Sequence, residues 1–138
     1  MFKNEYKFIL DTGADFNALD KAAFERIIAE NDLEIIPEDF TDGQDVVGGQ
    51  EVFGCNGVET NIKNIGLPFT CDNKDFFEVF SLVSIGAPLN AYEAYGINLC
   101  GVIGSPFFEK NKWVLDFDNL VVWTDCTDEL NKCMGAYK

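Results

Sequence analysis

Histidine is absent from this chain. That excludes Ser-His-Asp and Cys-His catalysis, and every metal site built on imidazole. Basic residues are few: 10 Lys and Arg stand against 24 Asp and Glu, for a formal net charge of -14. Such a chain repels nucleic-acid phosphates where a binder would release counterions, so no nucleic-acid partner is expected. An acid excess of this kind is first of all a solvated surface. Cysteine occurs five times, at Cys55, Cys71, Cys100, Cys126 and Cys133, with no C-x-x-C pair. Neither a zinc nor a dithiol pattern is present, so no metal and no cofactor are expected. Reduced, structural thiols in a reducing compartment are the expectation, with Cys126 and Cys133 able to pair in an oxidising one. There is no basic leader followed by an apolar run and no span long enough for a bilayer, so no membrane partner is expected and the expected location is cytoplasmic.

What is present suits a folded domain. The 138 residues are 47% hydrophobic and include 13 Phe. A chain of this length buries most of the surface its unfolded form exposes, and this composition is not that of an acidic disordered tail. No repeat, linker or low-complexity stretch interrupts it. The expected organisation is one domain over residues 1–123, followed by a polar tail over 124–138.

Local signals place the elements. Tyr6 to Leu10 reads as a strand and Asp11-Thr12-Gly13 as a turn. Asp20 is a good N-cap for a helix over Lys21 to Asn31, with Ala22, Ala23, Phe24, Ile27 and Ile28 as its apolar stripe. Leu33 to Ile36, Val58 to Leu67 and Phe76 to Ile85 read as strands, and Gly48-Gly49 as a hairpin tip. Gly86 to Gly96 reads as irregular. A buried strand ends at Gly104, Ser105 and Pro106 open a short helix over Phe107 to Asn111, and Trp113–Phe117 and Leu120–Trp123 form a last hairpin around Asp118-Asn119. Phe76-Phe77 and Phe107-Phe108 are expected in the core. The fold class that follows is mainly β, a mixed and mostly antiparallel sheet with two short helices.

The stretch "FILDTGADF", Phe8 to Phe16, carries the chemistry. An aspartate at the mouth of a strand rides on a rigid element and can be placed accurately. Gly13 lets the backbone turn and approach whatever the acid binds. Thr12 offers a short hydroxyl for a local or cross-interface hydrogen bond. Two aspartates held together cannot both ionise. One keeps a proton while the other acts as base, so the pair can activate a water against an amide. Asp-Thr-Gly occurs once and Asp-Ser-Gly not at all. Asp116 in "VLDFD" lacks the following glycine and is rejected as the partner. A second copy of the chain, related by a two-fold axis, is the simplest source of the second acid.

Together "FILDTGADFNALD" and "GVIGSPFFEKNKWVLDF" resemble the retropepsin-type aspartic proteases, the single-lobe family that includes the retroviral enzymes. Between them "VVGGQ", Val46 to Gln50, resembles the family's glycine-rich flap. The resemblance covers roughly Lys7 to Trp123, and its pattern is nearest to bacterial and cellular members. It implies a closed β-barrel-like lobe, a homodimer, and a cleft at the dimer axis that takes an extended peptide or protein substrate. It implies that Asp11 is catalytic, that Thr12 bonds across the interface, and that Gly13 belongs to the active-site loop. Ala14 and Asp15 would line the cleft, Val47, Gly48 and Gly49 would close over the substrate, and Gly104 would pack beneath the loop. A Ser or Thr at position 14 could donate to the catalytic carboxylate and Ala14 cannot, so the expected activity optimum lies nearer neutral. Ten residues precede Asp11, where the family usually has one more strand, so a shortened copy or a piece of a longer chain is expected. The competing reading is a catalytically silent retropepsin-like module that dimerises or binds peptide.

Overall fold

Parallel pairing between the two ends of the first unit organises the fold. The computed structural model describes residues 4–42, 52–54, 57–59 and 62–124. The chain divides into two compact units, Met1–Ser105 and Pro106–Lys138.

In the first unit the strands are β1 (Lys7–Leu10), β2 (Asn17–Asp20), β3 (Phe40–Asp42), β4 (Val52–Gly54), β5 (Gly57–Glu59), β6 (Lys63–Cys71), β7 (Lys74–Val83) and β8 (Leu99–Ile103). Six of them form one sheet in the order β1-β8-β2-β7-β6-β3. β1 runs parallel to β8 and β2 parallel to β7, while β2–β8, β7–β6 and β6–β3 are antiparallel. β4 and β5 pair separately as a two-stranded ribbon. The protein is thus mainly β with a mixed sheet. Among the described residues that sheet is open, with β1 and β3 as its edges, where a closed barrel was expected. On β1 and β7, three strand positions apart, the Phe8 and Phe80 rings meet with centroids 5.7 Å apart.

Helix α1 (Lys21–Glu30) follows β2 directly and packs against β2, β7 and β8. Asp20 caps it by accepting from Ala23 N at 3.2 Å, and its other carboxylate oxygen accepts from Ile85 N at 3.0 Å. The buried stripe is Ala23, Phe24 and Ile27; Ala22 is exposed and Ile28 only half-buried, so the expected stripe is narrower at its edges. With Leu19, Ile65, Phe80, Cys100 and Ile103 these residues make the core. Burying a side chain the size of Leu19 contributes about 1.5–3 kcal/mol. A second cluster joins Ala18, Ile62 and Val83, flanked by Phe16, Ile85 and Val102. Inside the sheet, Ser81 Oγ donates to Asn64 Oδ1 at 2.7 Å across the β6–β7 pair, so two fully buried polar groups satisfy each other.

Three expectations change. Leu33 to Ile36 joins no strand pair. Leu33 N still donates to Ile28 O as the helix unwinds, and Pro37–Asp39 forms a 3-10 turn in which Asp39 accepts from Ile36 N. The chain reaches the sheet edge only after that turn, as β3. Phe77 is 61% exposed and is not a core residue. Neighbouring residues on a strand face opposite sides, so Phe76-Phe77 cannot both point inward. Phe107-Phe108, on a helix, can share one face, and both are buried. Third, Gly86 to Gly96 is more regular than expected, with a helical turn at Ala87–Asn90 and a 3-10 turn at Glu93–Tyr95. The tight β6–β7 connection is a further addition. Asp72 and Asn73 both take positive φ, 51° and 60°, the two-residue turn that suits a twisted hairpin.

The second unit holds most of helix α2 (Ser105–Asn111), then β9 (Val114–Asp116) and β10 (Val121–Trp123), paired antiparallel as expected. Trp113 packs edge-on against Phe107, with ring centroids 4.8 Å apart.

Candidate active site

Asp11 follows the last residue of β1, and Gly104 follows the last residue of β8. Because these strands are parallel and Leu10 pairs with Ile103, both chains leave the sheet side by side at the same end. Asp11 N continues the ladder by donating to Ile103 O at 3.0 Å. The aspartate backbone is therefore part of the sheet, although its side chain is exposed.

The loop then folds on itself. Ala14 N donates to Asp11 O at 3.2 Å, closing a turn, and Gly13 N donates to Asp11 Oδ1 at 2.8 Å. One carboxylate oxygen is fixed by the backbone. The other has no hydrogen-bond partner among the described residues. Gly13 is not in the left-handed region, so it serves close approach here, not an unusual turn.

The loop is clamped from the β8 side. Ser105 donates twice to Ala14 O, from its N–H at 2.8 Å and from Oγ at 3.1 Å. Ser105 is thus the first helical residue of α2, and its hydroxyl holds the loop where the sequence suggested a helix N-cap. Gly104 is buried against this loop: a Cβ there would meet Phe16 O and come within 2.7 Å of Ala14 O. No side chain fits between the two strands' exits. Gly104 N donates to Asn17 Oδ1 at 3.0 Å, and Asn17 Nδ2 in turn donates to Val79 O at 3.4 Å.

The predicted site residues Asp11, Thr12, Gly13, Ala14 and Asp15 are consecutive on this loop. Asp11, Thr12, Gly13 and Asp15 are exposed and Ala14 is half-buried. Neither the Thr12 hydroxyl nor the Asp15 carboxylate has a partner among the described residues. Val47, Gly48 and Gly49 lie outside the described residues. Asn17 was missed by the sequence reading. Its signal is a single amide side chain between Phe16 and the buried Ala18-Leu19, in a strand with no other reason to be polar. Asp116, set aside from the sequence, turns the β9–β10 connection, accepting from Asp118 N, Asn119 N and Asn119 Nδ2.

Chemically, the loop offers one rigidly based carboxylate with an oxygen that is open among the described residues, the Thr12 hydroxyl beside it, and a second acid four residues on. Among the described residues no three His, Cys, Asp or Glu side chains gather to hold a metal, and no helix is long and apolar enough to cross a membrane. No protein-family model matches the chain, and no curated protein matches it in sequence.

Proposed function

We propose that the chain is an aspartic endopeptidase of the retropepsin type, active as a homodimer in which Asp11 of each copy meets at a two-fold axis. The observation that carries this reading is the Asp11 carboxylate itself. It stands at a strand end, with one oxygen held by Gly13 N and the other open, on a loop whose backbone is clamped by Gly104 and Ser105. A single carboxylate so placed is half of an acid–base pair. With its symmetry mate, one acid would keep a proton while the other takes a proton from a bound water. The water oxygen would attack the peptide carbonyl while the protonated acid gives its proton to the carbonyl oxygen; as the C–N bond breaks, the acid that took the water's proton would pass it to the leaving amine and a diol hydroxyl would return a proton to the first acid. The open Thr12 hydroxyl suits a bond across the axis, and Ala14, Asp15 and the Val47–Gly49 segment would hold an extended peptide by strand addition. A reducing, cytoplasmic setting agrees with the buried free thiol of Cys100.

The test is cleavage of an unfolded protein substrate from pH 4 to 8 by the wild type and by Asp11→Asn, with pepstatin as a third arm and solution mass measured alongside. The expected result is a dimer whose cleavage falls at least about a hundredfold in the variant. A wild-type dimer that does not cleave replaces this reading with the silent peptide-binding module. A strict monomer removes the dyad altogether.

A further inference from the structure

We propose that Asn17 is the positioning residue of the Asp11 loop, a role that rests on the peptidase reading but is built from contacts of its own. Asn17 is buried at the start of β2, six residues beyond Asp11, and its amide uses both ends. Oδ1 accepts from Gly104 N at 3.0 Å, and Nδ2 donates to Val79 O at 3.4 Å on the neighbouring strand β7. The side chain thus fixes the level of Gly104 relative to the sheet. Gly104 is the residue on which Ala14 and Phe16 rest without space for a methyl group, and Ser105, next in the chain, holds Ala14 O with two bonds.

The order of links is short. β7 holds Asn17, Asn17 holds Gly104, Gly104–Ser105 hold Ala14, and Ala14 N closes the turn on Asp11 O. No apolar side chain of similar size can replace the amide, because Gly104 N would be left buried without an acceptor. Loosening that level moves the carboxylate without unfolding the sheet, since the β6–β7 and β1–β8 ladders do not pass through the Asn17 side chain. A shift of about 1 Å in a catalytic group is enough to cost roughly a hundredfold in rate.

Two variants separate positioning from simple stability. Asn17→Leu keeps the volume and removes both bonds. Asn17→Asp keeps the shape, and its action depends on proton state. A neutral carboxyl can donate to Val79 O and accept from Gly104 N as the amide does, whereas a carboxylate faces the Val79 carbonyl with like polarity. Ser81→Ala, which removes one buried bond to Asn64 between β6 and β7, is the control for generic loss of a buried bond.

Amide hydrogen exchange is read in all four proteins, with kcat and KM. The expected result for Asn17→Leu is an exchange rate at the Ala14 and Ser105 amides raised about tenfold or more, with the β6–β7 ladder unchanged. Its kcat falls about tenfold to a hundredfold while KM stays within about twofold. Asn17→Asp approaches wild-type kcat at the acid end of the profile and loses it as pH rises. Ser81→Ala lowers thermal stability without touching the loop amides. Unchanged exchange at Ala14 and Ser105 in Asn17→Leu overturns the proposal, and so does a uniform rise across the sheet. An Asn17→Asp profile parallel to wild type at every pH also overturns it. If the wild type cleaves nothing, the peptidase reading falls, and the exchange comparison decides the role of Asn17 on its own.

Discussion

Gly13 leaves no free space beside Asp11: a Cβ at Gly13 would lie 3.2 Å from Asp11 Oδ1, the oxygen that Gly13 N itself holds. The backbone at Gly13 is one that any residue adopts, so the glycine is there for the carboxylate and not for the turn. Gly13→Ala is expected to fold with a melting temperature near wild type and to lose about tenfold or more in kcat, because the carboxylate must give by a few tenths of an ångström. Thermal unfolding and steady-state cleavage measured on one preparation check this. A variant that melts far below wild type would mean the glycine is conformational after all.

Asp20 does two jobs at once, capping α1 through Ala23 N and holding Ile85 N at the end of β7. Loss of a helix cap costs about 1 kcal/mol, and a second unmet donor adds about 1–3 kcal/mol. Asp20→Ala should therefore be destabilised more than a cap alone explains. Asp20→Asn, which keeps an acceptor, should recover a good part of the loss. Urea unfolding of the two variants beside wild type measures the difference. Equal midpoints for both variants would speak against the second bond.

Asp116 makes the second unit acid-sensitive. The Asn119 side chain first, then the Asn119 backbone N–H, with smaller help from Trp123 and Asp118, hold its carboxyl below the ordinary value of 3.8. The folded hairpin therefore favours the charged form more than the unfolded chain does. Its contribution to stability is complete above that ordinary value and disappears as pH falls below it, through the lowered folded value. Both tryptophans, Trp113 and Trp123, lie in this unit, so tryptophan emission reports on it alone. Emission should hold steady from pH 7 to 5 and change only below 3.8, with the onset moved to higher pH in Asn119→Ala. An onset that ignores Asn119 would refute the assignment.

The two described free thiols should differ in reactivity. Cys100 is fully buried, and burial pushes its thiol up even though Arg26 lies 3.2 Å from Sγ and pulls the other way. Cys71 is exposed at the end of the β6–β7 hairpin, though partial burial and then Asp72 raise it as well. Thiolate is the reactive form, so neither alkylates fast near neutral pH. Peptide mapping after iodoacetamide treatment should show Cys71 modified first and Cys100 only on unfolding. Early loss of Cys100 would mean that α1 opens readily.

What could be read from the sequence was local. β1, the turn at Asp11, the Asp20-capped helix, β8 and the last hairpin each carry a strong nearby signal: an apolar run, a cap, or a turn pair. What could not be read depends on partners distant in the chain. β2 is only four residues long and begins with Asn17, so nothing in "NALD" announces a strand; it exists because β8 and β7 flank it. Leu33 to Ile36 has strand composition but pairs with no strand among the described residues. Phe77 looks like core until the strand period puts it on the outer face. For the site, Asp11 to Asp15 and Gly104 were visible as segments, whereas the Asn17–Gly104 and Ser105–Ala14 bonds required the register of β1 on β8. Val47, Gly48 and Gly49, expected as a flap, lie outside the described residues.

The bonds that fix the Asp11 loop reach 87 residues forward from Asn17 to Gly104 and 91 from Ala14 to Ser105. During synthesis the aspartate is made well before the residues that clamp its loop. Contacts of such long sequence separation form slowly, after the loop between them has closed. A nascent chain therefore carries Asp11 on an unbuilt loop until residues up to Ser105 are made. On the peptidase proposal, the site would be complete only once residues up to Ser105 are free to fold.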